Sequence, residues 1–385
     1  MGVGDRVQKA MSDETKIEWA TATFNPWIGC TKVSPGCAHC YAENTTRARV
    51  LRSQGHETWG KGKARSRTSA ATWRNPLKWN RQLQKYPFAC PQCGNGGDQR
   101  MPTCFRCGAL RGTNPNRFRV FPSLCDWLDD EVPIEWLADF LKLTKDCQHL
   151  DWLLLTKRPE NWESRIIKAH ESLEPVAYNL PMSAMLVNWC GGKPPANIWI
   201  GTSVEDQKRA DERIPELLKI PAKVRFLSVE PLLGPVDLGF KGSTDVKFPA
   251  DFKDRTEKQR DDWIAQTARA TYIARCDNGI HWVIVGGESG PGARPCNVEW
   301  IRDIVRQCKA AGVPCFVKQL GSVPIADDVN SVGFKWTKRD CKTGLWSLKT
   351  KHPKGGDPAE WPEDLRVREF PTVCQEQSRS SAPQS

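Results

Sequence analysis

The stretch Ile198-Trp-Ile-Gly-Thr-Ser203 is a short apolar run that leads to Glu205 and is followed by a helical pattern over Asp206–Leu218. Its length, its aromatic and β-branched residues and its polar flanks are typical of a buried strand. A strand followed directly by a helix is half of a βαβ unit, in which successive strands run parallel. This stretch therefore predicts an α/β fold.

Similar runs recur along the chain, and helical patterns follow several of them. This alternation implies parallel strands with right-handed crossovers. Six such runs and a first one near the N-terminus favour a partial (β/α)6-type barrel over an open doubly wound sheet. The predicted strands are 17–24, Phe118–Leu124, Trp152–Thr156, Ile198–Ser203, Val224–Val229, Trp282–Gly286 and Cys315–Gln319. The predicted helices are Ala42–Ser53, Pro133–Lys145, Glu160–Ser172, Asp206–Leu218, Arg255–Thr271 and Val298–Ala311.

Polar residues follow nearly every predicted strand. In parallel barrels the carboxyl ends of the strands line the mouth where the active site lies. Loops are polar in most proteins, but Glu205, Glu230 and Glu288 follow their strands at similar offsets, which favours a functional site. The polar strand-end residues are Asp126, Lys157, Arg158, Glu205, Glu230, Glu288, Lys318 and Gln319.

Three cysteines lie close together in Cys30-Thr-Lys-Val-Ser-Pro-Gly-Cys37-Ala-His-Cys40-Tyr41, at C-x6-C-x2-C spacing. The chain has no apolar run of the ~20 residues that a membrane span needs, and its N-terminus has no secretory h-region. We therefore expect a reducing, cytoplasmic compartment, where cysteines serve as metal ligands more often than as disulfides. Three thiolates indicate a centre with one open position. A closed zinc site would need a fourth ligand, such as His39 or His56, and the spacing leaves both alternatives open.

A second group of cysteines has C-x2-C-x10-C-x2-C spacing. Four thiolates at this spacing fit a tetrahedral structural Zn²⁺ in a zinc-ribbon-like module, with rubredoxin-type iron as the alternative. Neighbouring arginines could contact a phosphate backbone, but a purely architectural role is nearly as well supported. These ligands are Cys90, Cys93, Cys104 and Cys107.

The net charge of +11 favours a polyanionic partner such as nucleic acid, although excess charge also simply confers solubility. Residues 54–86 combine basic side chains with tryptophans. Lysine and arginine can pair with phosphates and indoles can stack on bases, but these tryptophans could equally pack on the barrel. The predicted nucleic-acid contacts are Lys61, Lys63, Arg65, Arg67 and Trp73.

The sequence Gly286-Gly287-Glu288-Ser-Gly290 closes a predicted strand and precedes a helix. Its glycines would let a ligand approach the backbone, and its carboxylate could accept hydrogen bonds from ribose hydroxyls or an amino group. The spacing is not that of a Rossmann fingerprint and there is no Walker lysine, so nucleotide hydrolysis has no support.

Composition divides the chain into four segments. The first strand, the cysteine loop and the first helix occupy 1–53, and a basic insertion with the zinc module occupies 54–117. The remainder of the barrel occupies 118–321, and a C-terminal extension with a disordered tail occupies 322–385.

Several separate motifs resemble the phage Gp37/Gp68-type family (DUF5131), a radical-SAM-like family of unassigned function. The resemblance covers most of the chain outside roughly 54–116. The matching stretches are Ile17–Cys30, Cys37–Glu43, Leu155–Pro159, Gly201–Glu205, Ala210–Pro215, Arg225–Pro235, Trp282–Gly290 and Trp361–Pro371.

The resemblance implies a [4Fe–4S] cluster held by Cys30, Cys37 and Cys40, with S-adenosylmethionine on its open iron position. One-electron reduction would then produce a 5′-deoxyadenosyl radical that abstracts hydrogen from a substrate. The commoner radical-SAM spacing is C-x3-C-x2-C with an aromatic before the third cysteine, whereas here His39 takes that place. The residues implied to line the cofactor are His39, Tyr41, Ser203, Glu205, Glu230, Gly286, Gly287 and Glu288.

We therefore expect a radical-SAM enzyme that modifies or repairs a nucleic acid in a phage-infected or bacterial cytoplasm, with an electron-donor protein as a further partner. The alternative is a non-catalytic, zinc-containing nucleic-acid-binding protein on a barrel scaffold. A third hypothesis is a radical enzyme for a small metabolite or a peptide.

Overall fold

A computed structural model describes residue 15 and residues 17–85, 88–89, 96–97, 118–174, 176, 179–240, 256, 279–327, 337–339 and 344–371. The strands are β1 (Ala22–Thr23), β2 (Trp27–Ile28), β3 (Ser66–Arg67), β4 (Phe88–Ala89), β5 (Gly96–Gly97), β6 (Phe118–Phe121), β7 (Leu150–Thr156), β8 (Ile198–Ser203), β9 (Val224–Val229), β10 (Trp282–Gly286), β11 (Cys296–Asn297), β12 (Cys315–Gln319), β13 (Pro324–Ala326), β14 (Thr337–Arg339) and β15 (Trp346–Leu348). The α-helices are α1 (Thr46–Ser53), α2 (Ala70–Lys85), α3 (Ile134–Asp146), α4 (Trp162–Glu171), α5 (Leu180–Cys190), α6 (Gln207–Lys219) and α7 (Val298–Ala311).

One parallel sheet of seven strands organises the molecule, in the order β1-β6-β7-β8-β9-β10-β12. The sheet curls into a half-barrel, which confirms the predicted α/β class and the parallel alternation. Its strand order follows the chain order, as expected when each crossover returns to the neighbouring position. Among the described residues, no helix is long and apolar enough to cross a membrane.

The predicted elements agree closely with the structure at the centre of the sheet, where β8, β9, β10 and β12 have the predicted bounds. The first strand is shorter than predicted, because Ile17 and Ala20 form a turn in which the Ala20 amide donates to the Ile17 carbonyl at 3.0 Å. The predicted first helix begins as a 3₁₀ turn at Tyr41–Asn44. It continues as α1 after the Thr45 side chain accepts a hydrogen bond from the Ala48 amide at 3.4 Å.

Among the described residues, two helices, one four-stranded sheet and the two-stranded sheets β2-β3 and β4-β5 were not predicted. Helix α2 lies in the stretch interpreted as a polar insertion, and its Trp79 is buried against Phe118 with 5.4 Å between the ring centroids. Helix α5 lies between β7 and β8, and β11, β13, β15 and β14 form a separate four-stranded sheet in that order. The zinc cysteines, the helix predicted at Arg255–Thr271 (apart from Thr256) and the C-terminal tail lie outside the described residues.

Large aromatic side chains fill the concave face of the half-barrel. Strand side chains alternate between two faces, so one set packs inside the curl while the other packs against the helices. Gly201 is needed here, because a Cβ atom at this position would lie 2.4 Å from the Phe226 ring. The inner set forms a floor beneath the carboxyl ends of the strands and comprises Trp19, Phe121, Leu153, Trp199, Phe226, Trp282, Ile284 and Phe316.

The C-terminal segment 366–370 runs along the free edge of β12. The Val317 amide donates to Val367 and the Glu369 amide donates to Cys315, each at 2.8 Å. The Phe370 ring packs on Trp282 with 5.5 Å between centroids. This segment therefore covers the sheet edge at the level of the aromatic floor.

Candidate functional site

The loop that carries Cys30, Cys37 and Cys40 lies at the carboxyl end of the parallel sheet. Gly29 pairs with Cys125 in a parallel bridge that continues the β1–β6 pairing, so Cys30 follows directly after a strand end. A 3₁₀ turn at Pro35–Cys37 positions Cys37, and Cys40 immediately precedes the turn at Tyr41–Asn44. The three thiols are thus placed at the mouth of the half-barrel, as the sequence predicts for an active centre.

Arg158, directly beyond β7, holds the beginning of this loop. Its Nη2 donates to the Thr31 carbonyl at 2.7 Å and its Nη1 donates to Asp126 Oδ2 at 2.9 Å. The same Nη1 lies 3.8 Å from Cys30 Sγ. Arg65 approaches from the other side, where its Nη2 donates to Thr31 Oγ1 at 2.6 Å. Two buried guanidinium groups therefore fix the backbone next to the first cysteine.

Glu205, beyond β8, holds the middle of the loop. One carboxylate oxygen accepts from the Gly36 amide at 3.3 Å, and the other accepts from Arg213 Nη1 at 2.9 Å. A Cβ at position 36 would lie 3.0 Å from the Glu205 carboxyl group, so a glycine permits this approach. Burial tends to raise the pKa of Glu205, but Arg213 and Lys157 outweigh it and lower that pKa. Glu205 is therefore an ionised, fully buried support.

Glu288, beyond β10, connects the loop to a third strand. Arg294 donates to both carboxylate oxygens, at 2.9 and 2.6 Å, and its Nη1 donates to the Pro35 carbonyl at 3.0 Å. His39 Nδ1 lies 3.1 Å from Glu288 Oε2. Burial opposes ionisation of Glu288, but the hydrogen bonds from Arg294 and His39 prevail and lower its pKa to about 2.

Two further charged residues at strand ends, Glu230 and Lys157, do not bond to the cysteine loop. Glu230, beyond β9, lies 3.1 Å from Lys318 Nζ, but its Oε1 is buried and makes no hydrogen bond of good geometry among the described residues. Lys157 Nζ donates to Ser203 Oγ at 3.0 Å. Gly286 makes room for Glu230, since a Cβ there would lie 2.9 Å from Glu230 Oε1.

The structure thus brings most of the predicted cofactor-lining residues to one end of the sheet. Gly287 lies against β12, because a Cβ there would meet the Leu320 carbonyl oxygen at 2.3 Å. Tyr41 is exposed and its hydroxyl donates to the Ser123 carbonyl at 2.8 Å, so its ring is held at the rim. The residues that sequence reasoning missed are Arg213 and Arg294, which lie 8 and 6 residues after the glutamates they bind. An arginine within eight residues of each glutamate is visible in the sequence, but this spacing does not specify which side chain it binds.

The predicted nucleic-acid residues divide into two groups. Arg65 is buried and ion-paired with Asp129 at 2.8 Å, so its guanidinium is committed within the protein. Arg67 pairs with Asp139 at 2.7 Å and covers the Trp73 ring at 4.5 Å. The remaining two residues, Lys61 and Lys63, are exposed. The prediction of nucleic-acid contact in this segment therefore rests on Lys61 and Lys63.

The cysteine loop places three thiols, the donor type that holds iron–sulfur clusters, at the carboxyl end of the sheet. Burial and the Asp126 carboxylate raise the pKa of Cys30 to about 12, against the opposing effect of Arg158, and burial also raises the pKa of Cys40. Ligation would deprotonate such thiols, as metal binding generally does. Among the residues that the structure describes, no three His, Cys, Asp or Glu side chains are arranged to hold a metal ion. The thiols therefore share one loop without converging on one point.

Acid should weaken this site through Glu288. A carboxyl group whose pKa is lowered by folding stabilises the folded state above its unfolded pKa, and that contribution is lost as pH falls. The Glu288 side chain is 6 % exposed. Lowering its pKa from the ordinary value of 4.5 to about 2 contributes about 3 kcal/mol to the free energy of unfolding. We expect the wild-type melting temperature to fall more steeply between pH 5 and pH 3 than that of Glu288→Gln. Equal slopes for the two proteins would contradict this, and Glu160→Gln, at an exposed position, is the control.

A family model described as "Protein of unknown function (DUF5131)" matches residues 14–351. The match spans the cysteine loop and the whole seven-strand sheet. No curated protein and no solved structure matches the chain.

Proposed function

Because the chain belongs to the DUF5131 family, whose description states no activity, we propose its function from the site: a radical S-adenosylmethionine enzyme that acts on nucleic acid. In this proposal Cys30, Cys37 and Cys40 hold a [4Fe–4S] cluster. The cluster and S-adenosylmethionine, when bound, would supply a 5′-deoxyadenosyl radical for hydrogen abstraction.

The observation that carries the proposal is the way three strand ends hold the cysteine loop. Arg158 after β7, Glu205 after β8 and the Glu288–Arg294 pair after β10 each bond to the loop backbone, at Thr31, Gly36 and Pro35 respectively. A loop that only connected two elements would not need contacts from charged side chains at three strand ends. Such contacts hold the cysteine loop at the mouth, which is where the active sites of parallel barrels lie.

The charged side chains leave some groups available to a ligand. Glu205 and Glu288 are each bound by an arginine and serve the loop. Glu230 Oε1 makes no hydrogen bond of good geometry among the described residues, and Ser203 Oγ accepts from Lys157 Nζ beside it. We assign these two residues to the hydroxyl and amino groups of the cofactor. The aromatic floor excludes water from below, which would protect a radical reaction from solvent.

We propose nucleic acid as the substrate because the protein carries a large positive charge. The net charge is +11, and exposed Lys61 and Lys63 lie in a segment whose Gly60 amide donates to the Cys30 carbonyl at 3.0 Å. Basic side chains beside the cysteine loop would attract phosphates to the mouth. The zinc-ribbon-like module at Cys90–Cys107 is kept as a separate proposal for structural Zn²⁺.

Cysteine replacement tests the cluster directly. Anaerobic reconstitution should give about four irons per chain at this loop, and reduction in the presence of S-adenosylmethionine should yield 5′-deoxyadenosine. Cys37→Ala should lose the iron, its visible absorption and the cleavage, because three thiolates are the minimum ligand set for an open cluster. Iron content and absorption report on the cluster whether or not a substrate is found.

Cys190→Ala is the matched control, because Cys190 is an exposed thiol on α5, outside the site. It should retain iron and cleavage. A wild-type protein that takes up only zinc, or that keeps its iron after Cys37→Ala, would overturn the proposal. Salt-dependent nucleic-acid binding without any S-adenosylmethionine cleavage would favour the non-catalytic binding protein instead.

A further inference from the structure

The loop Lys349-Thr-Lys-His-Pro-Lys354 is an exposed basic segment that has no role in the site described above. It follows β15 and returns the chain to the end of β12. It carries three lysines in six residues, at Lys349, Lys351 and Lys354. Positive charges this close together on an exposed loop are balanced either by nearby carboxylates or by a binding partner.

The backbone of this loop is firmly anchored at the mouth. The Leu320 amide donates to Gly355 at 2.9 Å, and the Gly321 amide donates to Lys354 at 3.1 Å. Ser322 Oγ donates to the Pro353 carbonyl at 2.8 Å, while the Ser322 amide donates to the Glu288 carbonyl at 2.8 Å. The loop is therefore fixed beside the carboxyl ends of β10 and β12.

The nearby carboxylates accept hydrogen bonds from backbone amides. Glu360 accepts from the amides of Lys351 and His352, at 2.8 and 3.1 Å, and Asp357 accepts from the Ala359 amide at 2.9 Å. Among the described residues, no ion pair includes Lys349, Lys351 or Lys354. The loop thus holds its backbone rigidly, and its ammonium groups form no ion pair with the residues that the structure describes.

A second basic loop lies on the other side of the mouth. Gly60 binds the Cys30 carbonyl beyond β1, and the Gly62 amide donates to Glu131 Oε1 at 2.8 Å. Lys61 and Lys63 project from this anchored backbone and are exposed. Strands β1 and β12 are the two edges of the sheet, so the two loops lie at opposite edges of its carboxyl end.

We propose that these two loops contact the phosphates of one nucleic-acid strand and lead it across the mouth. Lysine is a strongly hydrated point charge that binds phosphate without demanding a particular base, so the contacts position the strand and do not read its sequence. The inference rests on the proposed function for the identity of the substrate, and it assigns the path that this substrate takes.

Binding of labelled oligonucleotides tests the path separately from the chemistry. Fluorescence anisotropy would be measured for 20-nucleotide single-stranded DNA, single-stranded RNA and duplex DNA between 50 and 500 mM salt. The variant Lys349→Ala/Lys351→Ala/Lys354→Ala should bind single strands on the order of 100-fold more weakly at 0.1 M salt. The slope of log K against log salt should fall by about 2, because each phosphate that is no longer neutralised by a lysine lowers it by about 0.7.

A charge-matched control removes three exposed lysines from the opposite end of the sheet, in Lys168→Ala/Lys193→Ala/Lys309→Ala. This variant should bind with nearly unchanged affinity, and Lys349→Arg/Lys351→Arg/Lys354→Arg should retain wild-type binding because charge is preserved.

Equal weakening in the mouth and control variants would overturn the path, since it would show that only net charge matters. Wild-type affinity in the alanine variant would overturn it as well. Iron content and S-adenosylmethionine cleavage should be unchanged in all three variants, so a failure of the cluster proposal is recognised independently.

Discussion

Replacing Arg158 with alanine is expected to lower the free energy of unfolding by about 3–5 kcal/mol, the range measured when one partner of a buried ion pair is removed. The Arg158 side chain is 5 % exposed and pairs with Asp126 at 2.9 Å, and the Asp126 side chain is 8 % exposed. Its loss would remove the guanidinium that neutralises this buried carboxylate, and the Thr31 carbonyl would lose its donor from Arg158. Urea unfolding followed by tryptophan fluorescence would measure the change.

Lysine cannot replace this arginine fully, because it lacks the planar fork that reaches Thr31 and Asp126 together. Arg158→Lys should therefore fall between the wild type and Arg158→Ala. Arg306, which pairs with Asp303 at 3.1 Å on an exposed helix face, is the control, and its alanine variant should lose less than about 1 kcal/mol. A loss that small in Arg158→Ala would show that the buried pair does not support the loop.

Trp282→Ala should cost about 3–5 kcal/mol, because a fully buried tryptophan leaves a large cavity when truncated. Its ring contacts several other aromatic rings of the floor, and its Nε1 donates to the Glu369 carbonyl at 2.8 Å. We also expect faster amide hydrogen exchange along segment 366–370, since Phe370 would lose its packing partner.

Trp282→Phe separates packing from hydrogen bonding. It keeps an aromatic ring in the floor but leaves the Glu369 carbonyl without its donor, so its cost should be smaller than that of Trp282→Ala. Val187, which is 56 % exposed on α5, provides the control, and Val187→Ala should change stability by no more than about 0.5 kcal/mol. If Trp282→Ala changed stability as little as Val187→Ala, this account of the core would be wrong.

Much of the fold could be predicted from the sequence, because it depends on local patterns. Strands β8, β9, β10 and β12 are continuous apolar runs, and such runs indicate strands buried on both faces. Helix α2 could not be predicted in the same way. Its basic residues and Pro76 obscure an amphipathic pattern whose Trp79 is buried against Phe118.

The site was only partly predictable. Strand-end carboxylates at Glu205, Glu230 and Glu288 followed from the parallel topology, because the carboxyl ends of parallel strands meet at one edge. Their partners did not, since Arg213 and Arg294 lie on separate elements and nothing in the spacing specifies which way a long side chain turns. The same limit applies to Arg65, where a basic residue in a polar stretch predicts exposure, but burial beside Asp129 decides otherwise.

The sequence by itself determined the central strands, their parallel direction and the place of the cysteine loop at the mouth, because each follows from hydrophobic periodicity and chain connectivity. Only the tertiary structure decided which charges support that loop and which remain free for a partner. Arg158 and Arg294 are bound to carboxylates, whereas Lys61, Lys63 and the lysines of 349–354 are exposed. A cation's role depends on whether a carboxylate lies within a few ångströms, and that distance is set by residues far apart in the chain.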